Sequence, residues 1–154
     1  MLNVGYLTSD ATTSGDERYT PFYAVTPIVK HLKNSGYKTV WCPFDEKWSA
    51  YVRTFQEEGF NVIRSSLSDG RDFFEYKPEE PYDVIISNSS FSRKDEVLRR
   101  LDELGKPFAI LLPLNSLQGK FRFDVFKNGI QLLSFYQRIG FHTTKRMAAP
   151  KQNG

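Results

Sequence analysis

The chain has 154 residues, 40% of them apolar and 15% aromatic, which predicts one domain spanning 1–154 with a real core. The formal charge of +3 is spread, with Asp and Glu between the Lys and Arg residues, so contact with nucleic acid is allowed but not required. A lone cysteine, Cys42, excludes an internal disulfide; no stretch has membrane-spanning length, no basic-then-apolar leader opens the sequence, and the expected location is a reducing cytoplasm.

The predicted elements alternate in period along the chain. After a polar opening from Ser9 to Arg18, the segment from Phe22 to Lys33 sets Val25, Ile28, Val29 and Leu32 at helical spacing, with Gly36 as a stop. Thr39 to Cys42 reads as a strand, Trp48 to Glu58 as a helix closed by Gly59, and Asn61 to Arg64 as a second strand. Asp69-Gly70 marks a turn and Lys77 to Pro81 a polar loop. Asp83 to Ser87 is the next strand, and the segment from about Lys94 to Leu104 is a helix with Val97, Leu98, Leu101 and Leu104 on one face. Phe108 to Leu112 is continuously apolar, as a strand buried on both faces of a parallel sheet would be, and Pro113 stops it. Phe121 to Lys127 reads as helix, Asn128-Gly129 as a turn and Ile130 to Tyr136 as a final strand; 143–154 is polar and basic, and is expected to fray.

Strand, turn and helix in this order predict an α/β fold with a doubly wound, mostly parallel, Rossmann-like sheet, shortened after its last strand. Ligands of such sheets bind along the carboxyl ends of the strands. Three segments are expected there: Trp41-Cys42-Pro43-Phe44-Asp45, Asp69-Gly70-Arg71-Asp72-Phe73-Phe74 and Asn88-Ser89-Ser90-Phe91.

The content and order of these segments, from about Tyr19 to Phe141, resemble a small phage-type S-adenosylmethionine-dependent N6-adenine methyltransferase. Such enzymes carry Asn-Pro-Pro-Phe or Asn-Pro-Pro-Tyr where this chain has Asn88-Ser89-Ser90-Phe91, and sixteen positions separate Asp72 from Asn88, an interval compatible with the family. The resemblance implies that Tyr19, Thr20 and Pro21 lie near the methionine end of the cofactor. It implies that Trp41, Pro43, Phe44 and Asp45 form the first cofactor-binding turn, and that Asp72 and Phe73 contact its adenine. It also implies a nucleic-acid substrate, DNA before RNA, and host cytoplasm as the setting for a phage-encoded protein.

The tetrapeptide has its own physical logic. Methylating an exocyclic amine requires a site that accepts the amine's hydrogens as its nitrogen rehybridises. An Asn side-chain carbonyl and a neighbouring main-chain carbonyl do so, while prolines at the next two positions keep the loop stiff. An aromatic ring then stacks on a flipped base. Asn88 keeps the acceptor and Phe91 the platform, whereas Ser89 and Ser90 replace stiffness with hydrogen-bond donors. Ordering two more flexible residues costs about 1 kcal/mol each, which slows catalysis by on the order of a hundredfold if it falls in the transition state. The first turn, Trp41 to Asp45, also lacks the glycine that lets a backbone approach a ligand.

Plainer readings stand beside these. Asp45 either caps the following helix or contacts the cofactor, Asp72 is an ordinary turn acid or an adenine contact, Cys42 is a small buried residue, and His31 and His142 suggest neither metal nor base chemistry. No Cys and His cluster has metal spacing, so no metal site is expected. Lys94, Arg99, Arg100, Lys106, Lys120, Arg122 and Lys127 form either a basic rim for phosphates or a solvated surface. Without a target-recognition domain, site-specific DNA reading would need another subunit or a very small loop. Two functions follow: a methyltransferase on nucleic acid, impaired by its two serines, or a non-catalytic methyltransferase-derived binding protein such as a phage inhibitor of a host nuclease or defence protein. Neither involves a membrane.

Overall fold

The computed structural model describes residues 19–88 and 91–141, the side chain of Phe91 excepted. Helix α1 spans Phe22–Ser35, strand β1 Thr39–Cys42, helix α2 Ala50–Glu57 and strand β2 Asn61–Arg64; strand β3 spans Val84–Ser87, helix α3 Lys94–Leu104, strand β4 Phe108–Ile110 and helix α4 Lys120–Phe126. The ends of these elements follow local chemistry. Ser49 caps α2, its side chain accepting from the Val52 N–H at 3.2 Å. Helix α3 starts with Asp95 and Glu96 against its positive end and stops at Gly105, where φ is 65°.

The four strands form one parallel sheet in the order β2-β1-β3-β4. The chain therefore winds outward from β1 to β2, returns across β1, and winds the other way through β3 to β4. That reversal places the topological switch point between β1 and β3. The Asp83 carboxylate accepts the main-chain N–H groups of Lys38 and Thr39 at 2.8 and 2.9 Å, joining the starts of these two strands. Those two bonds hold its carboxyl below the usual carboxylate range.

The period of two along each strand divides the core into two layers. Val40, Cys42, Val84 and Ile86 face α1 and α2, packing with Val25, Val29, Leu32, Val52 and Phe55. Trp41 and Ile85 face the opposite way, into a cluster with Phe73, Tyr82 and the α3 side chains Val97, Leu98 and Leu101. Helices cover both faces, which is the α/β doubly wound arrangement expected from the alternation of periods.

Strands β1 and β2 and helix α3 have the expected bounds, and the other differences have simple causes. The second helix begins at Ala50 instead of Trp48 because Ser49 is its cap. Strand β4 ends at Ile110, although the Leu111 N–H still reaches the Ser87 carbonyl at 3.4 Å. The expected final strand from Ile130 to Tyr136 is absent: this stretch is irregular, with Ile130, Leu132, Leu133 and Tyr136 exposed. A further parallel strand needs a crossover packed on the sheet, and the seven-residue α4 has no fully buried side chain. The polar opening and the expected frayed segment 143–154 lie outside the described residues, as do Ser89 and Ser90.

Candidate functional site

The site is built where β1 and β3 end side by side. Beyond Cys42 the chain stays tied to β2: the Ser65 N–H donates to the Cys42 carbonyl at 3.1 Å, and the Asp45 N–H donates to the Ser65 carbonyl at 3.2 Å. These bonds turn the loop inward and bury Asp45, which is only 8% exposed. Its Oδ2 accepts from the hydroxyl of Ser87, the last residue of β3, at 2.6 Å. That bond crosses the switch point.

Asn88 follows directly. Its Nδ2 donates to Thr20 Oγ1 at 3.1 Å, drawing the segment ahead of α1 onto the same place. Tyr51 of α2 lies beside them: burial raises its phenol most, and it is close enough for the Asp45 charge to add to the rise and the Thr20 hydroxyl to oppose it. Four separate stretches of chain thus bring Thr20, Asp45, Tyr51, Ser87 and Asn88 together.

This junction contains one acid, Asp45, with a hydroxyl partner. The Asp45 carboxyl is pushed up to about 6, chiefly by burial, with the hydroxyls of Ser87 and Ser49 opposing the rise and the charge of Glu46 adding to it. The Arg64 guanidinium reaches the Asp45 main-chain carbonyl at 3.3 Å instead of its carboxylate. Burial and then the Asp45 charge raise both the Tyr51 phenol and the Cys42 thiol, so Cys42 stays a neutral thiol rather than a nucleophile. A desolvated carboxyl that titrates close to neutrality can exchange a proton near pH 7 or accept a cationic ligand.

The other expected site residues fall in several places. Tyr19 packs edge-on against Trp48 with ring centroids 4.8 Å apart, Pro21 precedes α1, and Pro43 is buried. Trp41, Phe44 and Phe73 form one aromatic cluster in the opposite layer, with Phe73 centroids 5.7 Å from Trp41 and 4.8 Å from Phe44. Asp72 folds onto its own loop, its Oδ1 accepting the Phe74 N–H at 3.0 Å. Asp45 does not cap α2, since Ser49 does. Ser89, Ser90 and the Phe91 ring lie outside the described residues.

Three participants escaped the sequence reading: Ser87, Ser49 and Tyr51. A serine closing an otherwise apolar strand was the available signal for Ser87. A second polar cluster, at the end of β2, was also missed. There Ser66 and Ser68 donate to Glu46 at 3.2 and 2.6 Å, and Arg64 is bidentate to Asp69 at 2.7 and 3.3 Å. The serine-rich run Ser65-Ser66-Leu67-Ser68-Asp69 was its trace in the sequence.

Among the described residues no group of three or more His, Cys, Asp or Glu could hold a metal ion, and no helix is long and apolar enough to cross a membrane. No protein-family model matches the chain, and no curated protein matches it.

Proposed function

We propose that this chain is an S-adenosylmethionine-dependent N6-adenine methyltransferase-like protein acting on nucleic acid, with its site at the switch point between β1 and β3. The observation that carries the reading is the convergence of Asp45, Ser87, Asn88 and Thr20 on that point, with Asp45–Ser87 at 2.6 Å and Asn88–Thr20 at 3.1 Å. The donor set suits a cationic cofactor at its charged end, because Asp45 is a buried carboxyl whose side-chain partners are hydroxyls. When bound, S-adenosylmethionine supplies a methyl group on a sulfonium sulfur. Asp45 pairs with positive charge there, Ser87 fixes the Asp45 carboxylate, and Thr20 orients the Asn88 amide. Asn88 accepts a hydrogen of the adenine amine, and the proton released on methylation passes to water.

The test is transfer of radiolabelled methyl groups to adenine in unmethylated DNA and RNA. Wild-type protein is expected to label adenine, and Asn88→Ala to lower the rate by at least about a hundredfold with an unchanged circular dichroism spectrum. No transfer to either polymer, or equal rates in the variant, would overturn the assignment.

A second reading draws on a different observation. The polar groups at the switch point bond to one another and the Asp45 N–H is occupied by the Ser65 carbonyl, while the first turn contains no glycine. Polar groups that satisfy one another in this way suit a non-catalytic methyltransferase-derived protein that binds a partner, such as a phage inhibitor of a host nuclease or defence protein.

A further inference from the structure

The interleaving of charge along the chain stops at Asp124. Up to that residue sixteen Lys and Arg stand against eighteen Asp and Glu, whereas residues 125–154 hold five Lys and Arg and no acid. A block of one sign beside a body of roughly balanced charge is the footprint of an anion-binding surface.

In the described part of that block, Lys127, Ile130, Leu132, Leu133, Tyr136 and Arg138 are all exposed, Tyr136 by 94%. Residues 129–141 form neither helix nor strand. An amphipathic helix to insert in a lipid interface and a helix or ribbon to read the major groove of duplex DNA are both missing from this described stretch. An irregular, acid-free segment with an open phenol ring has instead the two parts that hold a single strand: cations for phosphates and a π-face for a base.

The segment is tied to the start of α1. The Gly140 N–H donates to the Tyr23 hydroxyl at 2.8 Å. Tyr23 lies in the first turn of α1, and Thr20, just ahead of that helix, holds Asn88. Lys127 makes an exposed pair with Asp124 at 3.6 Å, open to exchange for a phosphate, whereas three of the other cations expected from the sequence to form a phosphate rim are engaged elsewhere. Arg122 pairs with Asp95 at 2.7 Å, Arg100 donates to the Phe73 carbonyl at 3.2 Å, and Arg99 lies 4.6 Å above the Phe121 ring.

We propose that residues 127–141 are a surface for single-stranded nucleic acid, with Tyr136 stacking on a base and Lys127 and Arg138 contacting phosphates. The direction of the strand, towards Asn88, rests on the reading of the switch point given above; the binding itself requires no methyl transfer.

Fluorescence anisotropy of a labelled single-stranded oligonucleotide, its duplex and phosphatidylserine vesicles as competitors, all without S-adenosylmethionine, tests this. The single strand should bind more tightly than the duplex, and vesicles should not displace it. Tyr136→Ala, at a site that supports no packing, should weaken binding about tenfold, and Arg138→Ala should flatten the log–log salt slope by about 0.7. Absence of single-strand binding, preference for duplex or vesicles, or unchanged affinity in Tyr136→Ala would overturn the proposal. A protein that binds the strand but takes up no cofactor would retain this surface and lose the methyltransferase reading; the converse result would do the reverse.

Discussion

Trp41 and Asp45 sit four positions apart at the end of the same strand and serve opposite purposes. Trp41 is fully buried among Phe73, Tyr76 and Tyr82, with its Nε1 donating to Ser65 at 2.9 Å, so its large apolar surface and its one polar atom are both accommodated. Asp45, by contrast, is a buried acid whose carboxyl lies well above its ordinary range. The aromatic layer stabilises the fold, and the acidic junction lowers its stability at neutral pH. On the function proposed above, this acid at the switch point is where stability is traded for binding.

The strongest way to break this comparison is from the aromatic side. Trp41→Ala should lower unfolding free energy by about 3 to 5 kcal/mol, measured by urea denaturation, because it opens a cavity against three rings and orphans Ser65. A loss under 1 kcal/mol would mean that the cluster is not what holds β1.

On the acidic side the effect should depend on pH. The Asp45 carboxyl rises from 3.8 to about 6 on folding, so the folded state binds the proton more tightly. Its contribution to stability is fully present below pH 3.8 and is lost as pH rises through about 6. The change is about 3 kcal/mol on this shift alone. Asp45→Asn should remove that dependence and be more stable than the wild type at pH 8; parallel urea titrations between pH 4 and 8 are the check, and identical slopes for both proteins would contradict it.

Ser87→Ala sharpens the contrast further. It removes a hydroxyl that donates to the carboxylate, so it should cost about 2 kcal/mol at pH 8 and much less at pH 4, where Asp45 is protonated. The smallest effect belongs to the surface: Lys33→Ala breaks an exposed pair with Glu58 and should change stability by less than about 1 kcal/mol. A larger loss would mean that the ends of α1 and α2 matter more than their exposure implies.

The sequence made the scaffold readable and left the junction mostly hidden. Strands β1 and β2 and helix α3 were legible because apolar period and stop residues agree, as at Leu98, Leu101 and Gly105. Asn88 and Asp45 stood out as polar residues at strand ends. What joins them did not, since Thr20 and Asn88 are 68 positions apart and Ser87 reads as one more strand residue. The run from Ile130 to Tyr136 misled for the opposite reason: apolar composition shows what a segment would gain by burial, not whether a crossover delivers it to the sheet.

The most direct test of the central claim is calorimetric titration of S-adenosylmethionine into wild-type protein and Asp45→Asn at pH 7.5. The account predicts micromolar binding by the wild type and loss of that binding in the more stable variant. No heat of binding to the wild type at millimolar cofactor, or equal affinity in the two proteins, would contradict it.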